Sequence, residues 1–77
     1  MDWEEKNNMI EKEFEFKGFN EALNFVRRVG DLANEYNHHP DIFLHDYKNV
    51  KITLTTHSEG KVTDKDKKLS NLIDGLI

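Results

Sequence analysis

The apolar positions change period along the chain, and each change marks an element. Ile10, Phe14 and Phe16 alternate with Glu11, Glu13 and Glu15, the period-two pattern of a strand with one buried face. Asn7-Asn8 are turn formers, so Trp3 to Lys6 reads as a separate strand joined to the next as a hairpin. From Phe19 the period lengthens: Phe19, Ala22, Leu23, Val26, Val29, Leu32, Ala33 and Tyr36 follow steps of three and four, with Phe25 widening the stripe. This predicts an amphipathic helix of about five turns, ended by Asn37 and Pro40. Ile42 to His45 reads as a strand and Asp46 to Asn49 as its turn. Val50, Ile52 and Leu54 alternate against Lys51, Thr53 and Thr55 as the returning strand. Leu69, Leu72, Ile73, Leu76 and Ile77 return to helical spacing behind Thr63, which is placed to cap, with Asp66 three residues on. The order strand, strand, helix, strand, strand, helix predicts an α+β, two-layer domain over residues 1–77: a four-stranded antiparallel sheet with helices packed on one face.

Composition narrows the function classes. The 77 residues carry a net charge of −4, and 34% of them are charged, leaving 36% hydrophobic to form a core. So small a domain, without cysteine for disulfides or thiolate ligands, has reason to self-associate. The acidic balance argues against a sequence-blind grip on nucleic acid or an anionic membrane, both of which need excess positive charge on one surface. Phe14 and Phe16 could form a base-stacking platform, but no Arg or Lys interleaves with them as single-strand binding requires. No apolar run approaches the roughly 20 residues of a membrane span, and the N-terminus has no signal-peptide core. The expectation is a soluble, cytoplasmic protein.

The candidate chemistry lies in the histidines. His38 and His39 follow the long helix and His57 follows the last strand, so the antiparallel hairpin between them returns His57 towards the pair. Three imidazoles around one pocket could supply both a general acid and a general base. A plainer role also exists, because a histidine just past a helix C-terminus suits the helix dipole. A metal is disfavoured: adjacent histidines point apart in extended chain, and no H-x-H, H-x-x-x-H or spaced carboxylate accompanies them. His45, mid-strand, reads as structural or solvent-facing. Asp66 has two readings, as an electrostatic cap of the last helix, favoured by pattern, or as the group orienting a pocket histidine. Trp3 reads as a core or interface residue, or as the wall of a site for a flat heterocycle.

The same residues carry a resemblance. The run Phe14-Glu15-Phe16-Lys17-Gly18-Phe19, then Glu21-Ala22-Leu23, Phe25-Val26, Arg28-Val29 and Leu32-Ala33 leads into His38-His39-Pro40-Asp41-Ile42. Tyr47, Val50, Leu54-Thr55-Thr56-His57 and Thr63-Asp64-Lys65-Asp66 follow. Together they resemble the pterin-4a-carbinolamine dehydratases from about Trp3 to the C-terminus, His-His-Pro followed by a hairpin and Thr-His being the specific part.

The resemblance implies a cofactor-free, metal-free hydro-lyase. Its reaction is loss of water from 4a-hydroxytetrahydropterin to give quinonoid dihydropterin, in the tetrahydrobiopterin recycling that follows aromatic amino-acid hydroxylation. By position it implies catalytic roles for His38, His39 and His57, with His39 positioning the pterin and the other two exchanging protons around C4a and N5. Asn37 to His39 and Thr55, Thr56, His57 and Ser58 match pterin-contacting segments, Trp3 a pocket tryptophan, and Asp66 and Pro40 supporting positions. A homodimer or homotetramer is implied, with the pterin as ligand and an aromatic amino-acid hydroxylase as a possible partner. Animal members also serve as dimerisation cofactors, so the rival reading is a non-catalytic oligomeric adaptor on the same fold. Three departures stand out. The helix that many members carry ahead of the tryptophan is missing, the segment Ile42 to Tyr47 is one residue longer than the commonest pattern, and positions 34 and 58 are Asn and Ser where other members carry acids.

Overall fold

The computed structural model describes residues 3–77. The elements run β1 (Glu4–Lys6), β2 (Met9–Glu15), α1 (Phe19–Tyr36), β3 (Asp41–His45), β4 (Asn49–Leu54) and α2 (Asp64–Asp74). The strands form one antiparallel sheet in the order β1-β2-β4-β3, the ββαββα arrangement that the periodicities predict.

Turn chemistry sets the registers. Asn7 and Asn8 both take left-handed conformations, φ 52° and 63°, and directly join the paired residues Lys6 and Met9. Two consecutive positive φ values match the right-handed twist of a two-residue hairpin, and asparagine tolerates them. The β3–β4 hairpin closes at His45 opposite Asn49, and its pairing runs without interruption to Asp41 opposite Thr53. The turn is therefore Asp46 to Lys48, and Asn49 belongs to β4 rather than to the turn. In this turn Asp46 and Tyr47 have φ 49° and 56°, and the paired strands carry no bulge.

Alternation places Ile10 and Phe14 of β2 and Val50, Ile52 and Leu54 of β4 on one face, where they pack with Ala22, Phe25 and Val29 of α1 and with Leu69 and Ile73 of α2. Both helices thus cover the apolar side, and the Glu side of β2 faces outward. Lys12 shares the inward phase with Ile10 and Phe14, a position the alternating glutamates had masked. Its ammonium reaches Asp74 Oδ1 at 2.8 Å and lies 4.9 Å from the centre of the Phe14 ring. α2 ends at Asp74, one turn before the helical spacing of Leu76 and Ile77 suggests, and Gly75 follows it.

Candidate active site

The site is assembled where α1 ends, β4 ends and α2 begins. Asn37 closes α1 in the left-handed conformation, φ 50°. Its N–H bonds to Asn34 O while His38 N–H bonds to Ala33 O at 3.1 Å, the paired pattern of a Schellman cap. The cap turns the chain sharply, so His38 points back towards the start of α2. β4 runs out through Thr55 into a turn over Thr56 to Gly60, held by bonds from Glu59 N and Gly60 N to Thr56 O. The Thr55 hydroxyl ties this exit to the first hairpin by donating to Asn8 O at 2.7 Å.

Asp66 joins the two. Its side chain is fully buried, 0% exposed, and its oxygens divide their work. His38 Nε2–H donates to Oδ1 at 2.5 Å; the Thr56 hydroxyl and the Thr63 N–H donate to Oδ2 at 2.7 and 2.9 Å. The Thr63 hydroxyl lies 2.7 Å from that of Thr56, whose proton goes to Asp66, so Thr63 is the donor between them. Thr63 accepts in turn from Lys65 N, completing a capping box with Asp66 at the start of α2. The two sequence readings of Asp66, helix cap and histidine partner, are therefore both realised, one on each oxygen.

Burial pushes the Asp66 carboxyl up, but the hydrogen bonds from His38, the Thr63 N–H and Thr56 outweigh it and hold the group below the usual carboxylate range. An ionised carboxylate only accepts, so neutral His38 carries its proton on Nε2 and its lone pair on Nδ1.

His38 is one wall of a cleft of about 170 Å³, completed by Tyr36, Lys65, Lys68 and Leu69. A shallower polar cleft of about 290 Å³ lies on the other side of the α2 N-terminus, bounded by Thr56, Ser58, Glu59, Thr63, Asp64 and Lys65. Lys65 borders both. His39 is exposed beside His38, with Nε2 2.9 Å from Asn34 Oδ1. Asn34 thus makes a polar contact to the histidine pair. His57 is the exposed residue after buried Thr56, at the start of the turn. Extending the register beyond Asp41 opposite Thr53 carries His39 and His38 to the level of Thr55 and Thr56. Asp66, bonded to both His38 and Thr56, shows that the two chain segments meet there.

Trp3 packs against the core. It lines a different cleft, beside Glu5, Ile10, Lys67, Ser70 and Asn71, and the His38 cleft does not include it. Its indole N–H donates to the Asp74 carboxylate at 3.1 and 3.2 Å, and its ring packs edge-on against Phe14. The reason is the alternation: Trp3 precedes β1 in the inward phase shared by Glu5, at the sheet edge farthest from β3. Tyr36, Lys65 and Lys68 are cleft residues that pattern reading did not single out for this site. The signal available was their position, one residue before the helix-ending asparagine and one turn apart on the second helix. Among the described residues, no three His, Cys, Asp or Glu side chains are grouped to hold a metal ion, and no helix is long and apolar enough to cross a membrane.

The chain is similar to known proteins in sequence and in fold. Residues 1–76 match the pterin 4 alpha carbinolamine dehydratase family. A candidate pterin-4-alpha-carbinolamine dehydratase of Sulfolobus acidocaldarius is 44% identical over 72 residues, covering 94% of this chain and 78% of that protein. Its counterpart in Sulfurisphaera tokodaii is 45% identical over 75 residues, with coverage of 97% and 80%. The crystal structure of a transcriptional coactivator/pterin dehydratase from Brucella melitensis superposes with a TM-score of 0.88 at 33% identity, covering 95% of this chain and 79% of that one. A pterin dehydratase-like RuBisCO assembly factor of the alpha-carboxysome shares the fold, with a TM-score of 0.77 at 23% identity and coverage of 96% and 84%. With the match spanning nearly its whole length, this chain belongs to the pterin 4 alpha carbinolamine dehydratase family.

Proposed function

We propose that the protein dehydrates 4a-hydroxytetrahydropterin to quinonoid dihydropterin and water by imidazole acid/base chemistry. The reaction breaks the C4a–O bond and removes the N5 proton, forming the C4a=N5 double bond. One group must deliver a proton to the departing hydroxyl while another accepts the proton from N5.

The observation that carries this reading is the His38–Asp66 pair. A buried carboxylate fixes the tautomer of a cleft histidine and leaves its Nδ1 lone pair as the acceptor. Once Nδ1 takes the N5 proton, the imidazolium stands 2.5 Å from an ionised oxygen that stabilises it. His57 then protonates the leaving hydroxyl, and His39, braced by Asn34, positions the pterin with Asn37, Thr55, Thr56 and Ser58. Such a protein would act as a cytoplasmic homodimer or homotetramer, beside an aromatic amino-acid hydroxylase that supplies the carbinolamine.

The adaptor reading leaves the His38–Asp66 hydrogen bond without a task, because a helix cap needs only one of the two Asp66 oxygens. A stopped-flow measurement of carbinolamine decay tests the proposal. His57→Ala and His39→Ala are each expected to lower the catalysed rate at least about tenfold. Unchanged turnover in both, or no rate above the spontaneous decay in the unaltered protein, overturns it.

A further inference from the structure

We propose that the His38 cleft selects a pterin whose side chain carries an anionic group, held by Lys65 and Lys68. This rests on the pterin reading of the site and adds to it the charge of the substrate.

Lys65 and Lys68 lie one turn apart on α2 and border the same cleft as His38. A ligand that occupies this space of about 170 Å³ against His38 is therefore within reach of both ammonium groups. Among the described residues neither lysine is ion-paired, whereas Lys6, Lys12 and Lys48 meet Glu11, Asp74 and Glu15. Both oxygens of Asp66 are engaged by His38, Thr56 and Thr63, and the carboxylate pairs with neither lysine.

Position adds to this. Lys65 is in the first turn of α2, where the helix end is already positive and a lysine is locally unfavourable. Lys68 is steered rather than free-floating: its ammonium sits 5.0 Å from the centre of the Tyr36 ring, on the cleft wall opposite α2. In a chain of net charge −4, two lysines without a carboxylate partner border the cleft that holds His38. A phosphate ester or a carboxylate on the side chain satisfies both; the neutral hydroxylated side chain of an ordinary pterin satisfies neither.

The test is equilibrium binding followed by pterin fluorescence, with three oxidised probes: 6-hydroxymethylpterin, its phosphate ester, and 6-carboxypterin. At low salt the unaltered protein should bind at least one anionic probe about tenfold more tightly than the neutral one, the scale of one or two charge-assisted contacts at a partly exposed site. Whichever anion is preferred identifies the group. The preference should vanish in the K65Q/K68Q variant and shrink in 0.5 M salt. Equal affinity for neutral and anionic probes overturns the inference while leaving the pterin site intact, as does a preference that survives K65Q/K68Q. Failure to bind any of the three overturns the pterin reading itself.

Discussion

His38 Nε2 and Asp66 Oδ1 stand 2.5 Å apart although 28 residues separate them in the chain. The contact links the end of one helix to the beginning of the other. In the proposed reaction the same carboxylate answers to folding and to chemistry.

Replacing that carboxylate separates the two roles. Asp66→Asn can keep an oxygen facing the Thr63 N–H and Thr56, but then presents an amide N–H to His38 and forces the proton onto Nδ1. The turnover number should fall by about 10- to 100-fold, reaching at most the low end of what a lost acid/base group costs. Stability should drop by only about 1–3 kcal/mol. Nitrogen NMR of the His38 ring checks the tautomer directly, and an unchanged tautomer with unchanged rate would remove Asp66 from the mechanism.

Acid should loosen the same pair. The Asp66 carboxyl is held below its ordinary range, so in the acid range the unfolded chain binds this proton more readily than the folded protein does. Its contribution is present above about pH 4, the unfolded value. It is lost as pH falls through the lower folded value. His45 runs the other way: hydrogen bonds to Asp46 and Glu13 raise its pKa, so its contribution is complete below about pH 6.5 and lost as pH rises through the folded value. Urea midpoints across pH should show the acid-side slope flattened in Asp66→Asn and the near-neutral one removed in His45→Gln.

Trp3→Phe removes the indole N–H from Asp74 while keeping a ring against Phe14. The expected cost is about 1 kcal/mol, or about 4–8 °C in Tm for a domain of this size. Pterin affinity, followed by the ligand's own fluorescence, should not change, because Trp3 lines the other cleft. A weakened affinity would bring the tryptophan back to the pterin.

Gly60 closes the turn that begins with Thr56 and His57, at φ +68°. A Cβ there meets nothing within 4 Å, so the penalty for Gly60→Ala is conformational alone, about 1–2 kcal/mol. The denaturation midpoint should fall with the slope unchanged.

Much of this was legible before the coordinates. The shift from period two to period three-and-four locates β2, α1, β4 and α2, the Asn7-Asn8 turn sets off β1, and Thr63 with Asp66 marks the start of α2. What stayed hidden depended on pairing across space. Asp66 looked like a cap or a histidine partner because a one-dimensional pattern cannot show that two oxygens face two ways. Trp3 matched a pocket residue by position, yet its place at the β1 edge depends on strand order, which alternation does not specify. Leu76 and Ile77 extended the helical spacing of α2, but the chain leaves the helix at Asp74 and Leu76 still packs against the core from outside it.

Lys12 has a consequence for how the strands find one another. On its inward face β2 pairs Ile10 with Leu54, Lys12 with Ile52 and Phe14 with Val50. A slip by one residue would turn the glutamates into the core, which hydrophobic burial forbids. A slip by two keeps the correct face inward and in an all-apolar strand would be nearly degenerate. Here it would carry the ammonium about 7 Å along the sheet, away from Asp74 and against Leu54 or Val50. The single charged residue on the inward face of β2 thus distinguishes the native alignment from its nearest competitor, and because Asp74 ends α2, the strand's alignment and the helix's seat are chosen together.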